Sequence, residues 1–529
     1  MSHNNGIVYT KKWVVDLILD VLGVKNAESL IGKVIVDPSC GDGSFILRII
    51  DLIASAGCYN SPYDYRRLHA YDIDQQAVEH TRRGISDLLI RETTMSRESA
   101  DETAMRIAQQ TDYITAVAQK QIPQADIVIG NPPYIRATDI PRGTRSEYMN
   151  QTMTMSYGTD IYIGFIEQGL KNLRDRGTLA YVCADRWLQN KYGTDLRTFV
   201  NTGYDLIHII RMHGVDAFKD EVDAYPAITV IRNQKLHPTV TYVKCQKGFT
   251  ENDSRQLVNS DTARGSNWTR TILAKPRRPQ DNIILTDSRT SRDIIRVADA
   301  YPTIEEAGVN IGIGIATGRD SVFVTDRPDI VESDRLVPLF YMRDWRRGRK
   351  DKQRWLINPW ADDGRLIDLD KYPKAKQYFD SHYNEIANRH VARKNKNSWY
   401  RTIDKIHPGL INRPKLLIPD LAMECDPIYE DGHKYPHHSC YWLTSDKWDL
   451  KSLGGILISD MTSKTIESLG VKMRGGTLRF QAQYLRMLHI PYIQNVTEEQ
   501  KSKLATAFDN NDRMLANEIT NQIYGMEDR

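Results

Sequence analysis

Long apolar runs are absent from this 529-residue sequence. No stretch approaches the roughly 20 apolar residues that a membrane-spanning helix needs. The opening Met1-Ser-His-Asn-Asn carries no hydrophobic signal core. Cysteine is scarce: six residues, scattered without close pairing, exclude a disulfide scaffold and suit a reducing compartment. Charge of one sign is scarce too, the formal net charge being only +3. Any binding of a polyanion must therefore come from local patches rather than global basicity. Repeats and low-complexity tracts are missing. These absences lead to the expectation of a soluble, cytoplasmic protein without membrane contact. What is present is 40% hydrophobic residues, enough for real cores, on a length that suggests two to four domains.

The most informative stretch is Asp126-Ile-Val-Ile-Gly-Asn131-Pro132-Pro133-Tyr134. Ile127 to Ile129 read as a short buried strand, ended by a glycine where backbone must approach something closely. Two prolines then fix φ and remove N–H donors, so the turn is stiff and offers carbonyls that no ladder can use. An amide oxygen, a free carbonyl and a flat ring at a strand end suit a planar group bearing an NH₂.

Upstream, Thr10 is placed to cap a helix whose apolar residues run from Val14 to Leu22. Lys33-Val-Ile-Val-Asp37-Pro38-Ser-Cys40-Gly41-Asp-Gly43-Ser reads as strand, glycine turn and helix. Such a turn lets backbone approach a ligand at a helix N-terminus. The acid beside it argues against a pyrophosphate and for a cationic or amine-bearing ligand. A second strand ends at Asp72, where α/β nucleotide sites place the acid that takes ribose hydroxyls. Thr111 to Ile114 read as the start of a third strand, and the segment 91–110 as polar helix. The segment 136–157 reads as a surface loop. Asp160 to Leu170 form a helix with Gly177 just past its end, and Thr178 to Ala184 the next strand. The strands at Leu206 to Ile210 and Ala227 to Arg232 have no helix between them and must run antiparallel or apart. The pattern predicts an α/β fold, a mostly parallel doubly wound sheet with an antiparallel strand near its end.

Thr10, Asp37-Pro-Ser-Cys-Gly-Asp-Gly, Asp72, Asp112, Asn131-Pro-Pro-Tyr134 and Phe218, in that order, resemble the TaqI-like, gamma-ordered amino-methyltransferases that act on DNA in type II restriction–modification systems. The resemblance implies a Rossmann-like catalytic domain over 1–260 and a C-terminal α+β DNA target-recognition domain over 261–529. It implies transfer of a methyl group from S-adenosyl-L-methionine to the N6 of an adenine flipped out of double-stranded DNA. The enzyme would be a monomer, with a cognate restriction endonuclease acting separately. Thr10, Asp37, Pro38, Cys40, Gly41 and Gly43 would hold the methionine part of the cofactor, Asp72 the ribose, and Asp112 the adenine amino group. Asn131 and the Pro132 carbonyl would accept the two N6 hydrogens. Tyr134 would stack on the base; Phe218 would face it from the other side, or serve as a core residue. N4-cytosine, or a protein glutamine or RNA amine, presents the same NH₂ and stands as the alternative substrate.

After a polar, proline-rich linker near Lys275-Pro-Arg-Arg-Pro, the stretch from Val309 to Val324 reads as a glycine-punctuated β-hairpin. It resembles the start of the family's recognition domain, as does the tail from Gly455 through Gly475-Gly-Thr-Leu-Arg-Phe to Pro491. Two basic stretches interleaved with aromatics suit phosphate and base contacts, or form solvated basic faces. Their candidates are Arg346, Arg347, Arg349 and Lys350 in the first, and Arg393, Lys394 and Trp399 in the second. His433, His437, His438, Cys440 and Cys425 match no standard zinc spacing, so no metal is expected.

Overall fold

The computed structural model describes residues 8–219, 225–234, 236–393, 396–470 and 477–526. The chain divides into two compact units, Met1–Ser291 and Arg292–Arg529.

The first unit is built on nine strands: β1 (Ile35–Asp37), β2 (Leu68–Asp72), β3 (Ala108–Gln110), β4 (Ala125–Gly130), β5 (Leu173–Ala184), β6 (Asp205–Arg211), β7 (Pro226–Arg232), β8 (Thr239–Cys245) and β9 (Trp268–Ala274). They lie in the order β3-β2-β1-β4-β5-β7-β6-β8-β9. The first five are parallel, and β7 runs antiparallel to both of its neighbours. A second antiparallel strand, β9, closes the edge. The strands bury both faces because successive side chains point to opposite sides. In β4, Ile127 and Ile129 enter one core while Val128 enters the other. Helices α1 (Lys12–Val21), α2 (Ser44–Ala54), α3 (Gln75–Glu92) and α4 (Arg97–Ile107) cover the first face. The opposite face is covered by α5 (Tyr113–Ala118), α6 (Arg142–Gln151), α7 (Tyr162–Lys171) and α8 (Thr194–Gly203).

Several expectations are corrected. The third strand is Ala108–Gln110, earlier than expected, because the Asp112 carboxylate accepts the Thr115 N–H and starts α5 instead. The segment 136–157 is not all loop, since α6 occupies its centre. Gly177 lies inside β5, not past a helix end. Thr10 does not cap α1: the N-cap position is Lys11, and the Thr10 side chain is used elsewhere. The division falls after Ser291 rather than after 260, because β9 pairs along its whole length with β8 and so belongs to the first sheet.

The second unit is α+β. One four-stranded sheet orders β10 (Val309–Ile313), β18 (Cys440–Ser445), β14 (Lys415–Pro419) and β16 (Ile428–Glu430). The other orders β11 (Val324–Thr325), β13 (Trp355–Ile357), β12 (Leu336–Phe340) and β17 (Tyr435–Pro436). Leu421–Ala422 (β15) and Leu478–Arg479 (β19) form a small ribbon, and helices Glu498–Asp509 and Arg513–Tyr524 follow. The hairpin expected over 309–324 does not form. Its arms enter different sheets, β10 pairing with β18 and β11 with β13. No described helix is long and apolar enough to cross a membrane.

Candidate active site

Three parallel strands end side by side at the carboxyl edge of the first sheet, and each delivers part of a site. After β1, the turn into α2 places Gly41 and Gly43 at φ +53° and +81°. Only glycine adopts this backbone without strain, and a Cβ on Gly43 would meet the Leu47 side chain at 2.9 Å. The turn is tied to β2, since the Gly41 N–H donates to Asp72 Oδ2 at 2.9 Å and Thr81 donates to the Gly41 carbonyl. Asp72 Oδ1 accepts the Asp74 N–H. Ile73 is 63% exposed beside it, an apolar surface that sequence reasoning passed over.

Asp37 is fully buried, and its Oδ2 has no hydrogen-bond partner among the described residues. Burial pushes its carboxyl well above the usual range, and the charges of Asp72 and Asp42 push the same way. The N–H of Ser39 opposes them. A buried acid close to two further acids holds its proton until a positive group arrives to favour the charged form. Pro38 and Cys40 complete the turn; the Cys40 thiol is also buried, its pKa pushed up by burial and by Asp37 and Asp72, so it stays protonated. Asp112 lies next to this edge, where Thr111 donates to the Asp72 carbonyl. Its Oδ2 accepts the Tyr148 hydroxyl of α6 at 2.7 Å.

β4 delivers Asn131. Its Nδ2 donates to the Val8 carbonyl at 2.8 Å and to Thr10 Oγ1 at 3.2 Å. A carbonyl can only accept, so this contact fixes which end of the amide is nitrogen. Asn131 Oδ1 is thereby left buried and without a partner among the described residues. The Ser39 hydroxyl donates to the Asn131 carbonyl at 3.1 Å, coupling the β1 turn to the β4 turn. Ser39 went unremarked in the sequence reading although it sits within the motif. Pro132 is buried. The Tyr134 hydroxyl donates to the Val182 carbonyl of β5 at 3.4 Å, and burial pushes its pKa up, so the phenol stays neutral.

The segment 8–11 ties these parts together. Thr10 bridges to Phe218, Lys11 donates to the Ala217 carbonyl, and Lys219 donates to that of Tyr9. Lys219 Nζ also reaches Asp42 in the glycine turn at 2.7 Å. Phe218 meets Tyr134 edge-on, with ring centroids 6.2 Å apart at 78° and only 6% of the residue exposed. It is core in this state, and facing a base would require its ring to turn. Asp220 to Val222, beyond it in the same motif, lie outside the described residues. Asp185, buried after β5, pairs with Arg211 at 2.6 Å and accepts from His213 at 2.9 Å. Burial alone would raise its carboxyl, but Arg211 and the hydrogen bond from His213 bring it down to about 2.

Residues 66–218, which hold β2, β4, the Asn-Pro-Pro-Tyr turn and Phe218, match the model of the Eco57I restriction-modification methylase family. The Type II methyltransferase M.PaeR7I of Pseudomonas aeruginosa is 36% identical over 98% of this chain and 92% of its own length. The chain belongs to the Type II methyltransferases of restriction–modification systems. M.XhoI of Xanthomonas vasicola is 34% identical over 100% of this chain and 98% of its own. Among solved structures, the Type IIL restriction-modification enzyme MmeI in complex with DNA shares the fold. Its TM-score is 0.64 at 11% identity, over 98% of this chain and 74% of that one. Membership in a methyltransferase family implies S-adenosylmethionine as the methyl donor, and the turn fits it. The left-handed glycines give close backbone approach, and the buried Asp37, whose Oδ2 has no partner among the described residues, gives a place for a cation.

In the second unit of this methyltransferase, Arg346, Arg347, Arg349, Lys350 and Arg393 are exposed. Arg346 donates to the Leu421 carbonyl, and Lys350 lies 4.5 Å over the Trp345 ring. Lys394 lies outside the described residues, as do Gly475 and the residue after it. Trp399 is not presented outward. It is half-buried, packed edge-on against Tyr383 and Tyr400. Arg389, from the same basic stretch, donates to the carbonyls of Thr317, Trp399 and Arg401 and is structural.

Proposed function

We propose that this methyltransferase transfers a methyl group to the exocyclic N6 of an adenine flipped out of duplex DNA, protecting that DNA from a partner endonuclease. The observation that carries the reading is the Asn131 amide. Its nitrogen is spent on Val8 and Thr10, and its oxygen is buried and has no partner among the described residues, beside a stiff Pro-Pro turn. An exocyclic amine has two hydrogens to give; Asn131 Oδ1 and the Pro132 carbonyl are the acceptors assigned to them. In adenine the N6 lone pair is delocalised into the ring. Acceptors on both hydrogens favour a pyramidal, electron-rich nitrogen and gain strength as positive charge develops on it. Bound S-adenosylmethionine supplies a methyl group activated by its sulfonium. Asp37 and the Gly41–Gly43 turn hold the donor's cationic end, Asp72 its ribose and Asp112 its base. Flipping the base costs a few kcal/mol. Stacking on Tyr134, worth roughly 1–3 kcal/mol, offsets part of that cost. The exposed arginines of the second unit are assigned to DNA phosphates.

The deciding experiment incubates the full chain with labelled S-adenosylmethionine and unmethylated genomic DNA, then separates the nucleosides. N6-methyladenine is the expected product. Label in N4-methylcytosine would overturn the adenine assignment, and label in protein alone would overturn the DNA substrate.

Tyr148 is assigned as a positioning residue for Asp112, because its hydroxyl holds the carboxylate oxygen not used by the α5 N-terminus. Tyr148→Phe is expected to raise the KM for the donor about 3- to 10-fold, with kcat nearly unchanged, the loss of one positioning hydrogen bond worth about 0.5–1.5 kcal/mol. In a double-mutant cycle with Asp112→Ala the two losses should not add. Additive losses would show that Tyr148 acts elsewhere.

A further inference from the structure

In the second unit the chain crosses four times between its two four-stranded sheets, and two of the crossings meet. One runs from β10 to β11 through residues 314–323, the other from β17 to β18 through residues 437–439. Their backbones are laced together. The Gly314 N–H donates to the Cys440 carbonyl, that of Ile315 to the Pro436 carbonyl, and that of His438 to the Ile315 carbonyl, all at 2.9–3.0 Å. A Cβ on Gly314 would stand 2.1 Å from the His437 carbonyl oxygen, so only glycine permits this approach.

Three ligand-type side chains converge at the joint. One ligand atom each from Asp320, His437 and His438 lies within 4.8 Å of the others, and His437 Nε2 is 3.0 Å from Asp320 Oδ2. The other polar atoms of Asp320 and His437 are already fixed. Thr317 donates to Asp320 Oδ1 at 2.5 Å, and Ser439 Oγ lies 3.0 Å from His437 Nδ1. Outer partners of this kind orient metal ligands and set the imidazole tautomer. The His437 ring is held from the sides by His438 and Tyr341, with centroids 4.0 and 4.7 Å away. Among the described residues no lysine or arginine pairs with Asp320; its close partner is the His437 imidazole.

We propose that Asp320, His437 and His438 bind one divalent transition-metal ion of the zinc class, with water completing its shell. Two imidazoles and a carboxylate suit zinc, cobalt or nickel better than magnesium or calcium. The ion would staple the two crossings, fixing the sheets of the second unit to each other. Sequence spacing missed it because Asp320 lies 117 residues from His437 and no cysteine takes part.

The test strips the untagged full chain with a chelator and dialyses it against Co(II). One equivalent should bind, with the visible absorption of a nitrogen–oxygen site, and Zn(II) should raise the melting temperature. Asp320→Asn and the exposed His438→Gln should each weaken Co(II) affinity by more than the roughly 10- to 100-fold typical of losing an outer partner. Ser439→Ala should fall within that range. Failure to bind a stoichiometric ion would overturn the proposal, as would affinity unchanged in Asp320→Asn and His438→Gln. Asp320 and His437 would then be a hydrogen-bonded pair and nothing more.

Discussion

Replacing Asn131 by alanine is expected to reduce methyl transfer by at least about 10²- to 10³-fold, the size of effect seen when one preorganised partner of a developing charge is removed. The loss should appear in kcat, because the acceptor strengthens its hold as charge develops on the attacking nitrogen. Donor affinity should change little, since the side chain faces Val8 and Thr10 rather than the glycine turn. Single-turnover transfer and equilibrium binding of S-adenosylmethionine, measured on the same preparation, separate the two. A variant that loses donor affinity instead would assign Asn131 to the cofactor. Because the substitution also leaves the Val8 carbonyl without its donor, a melting temperature belongs beside the kinetics.

Asp37→Asn is expected to weaken donor binding about tenfold to a hundredfold while stabilising the protein that has no donor bound. The first effect is the loss of a charge-assisted contact, about 1.5–3 kcal/mol. The second follows from the raised carboxyl pKa of a fully buried acid. A folded-state pKa above the unfolded value carries no penalty below pH ~4, where both states are protonated. The penalty grows as pH rises through the unfolded value and is complete once pH passes the folded one. Asparagine does not titrate, so the variant's melting temperature, matched to wild type in acid, should pull ahead as pH rises. Parallel pH profiles would show that Asp37 is charged and satisfied without the donor.

Ile127 to Ile129 alternate into two cores, and an α/β sheet buried on both faces follows from that hydrophobicity, as does the glycine turn after β1 from its Gly-x-Gly. These are local matters: apolar runs, β-branching, proline and positive φ act within a few residues. The sequence by itself determined the strand–turn–helix frame, the Asn-Pro-Pro-Tyr turn and the family. It could not reveal that Thr10 holds Asn131 rather than capping α1, that Tyr148 reaches Asp112, or that Phe218 meets Tyr134 edge-on. Nor could it reveal that the 309–324 segment splits between two sheets and brings Asp320 to His437. Each of these joins residues tens to more than a hundred positions apart, where hydrogen bonds and close packing leave no periodic trace. Only the tertiary structure decided them, because a side chain's partner depends on which strands become neighbours.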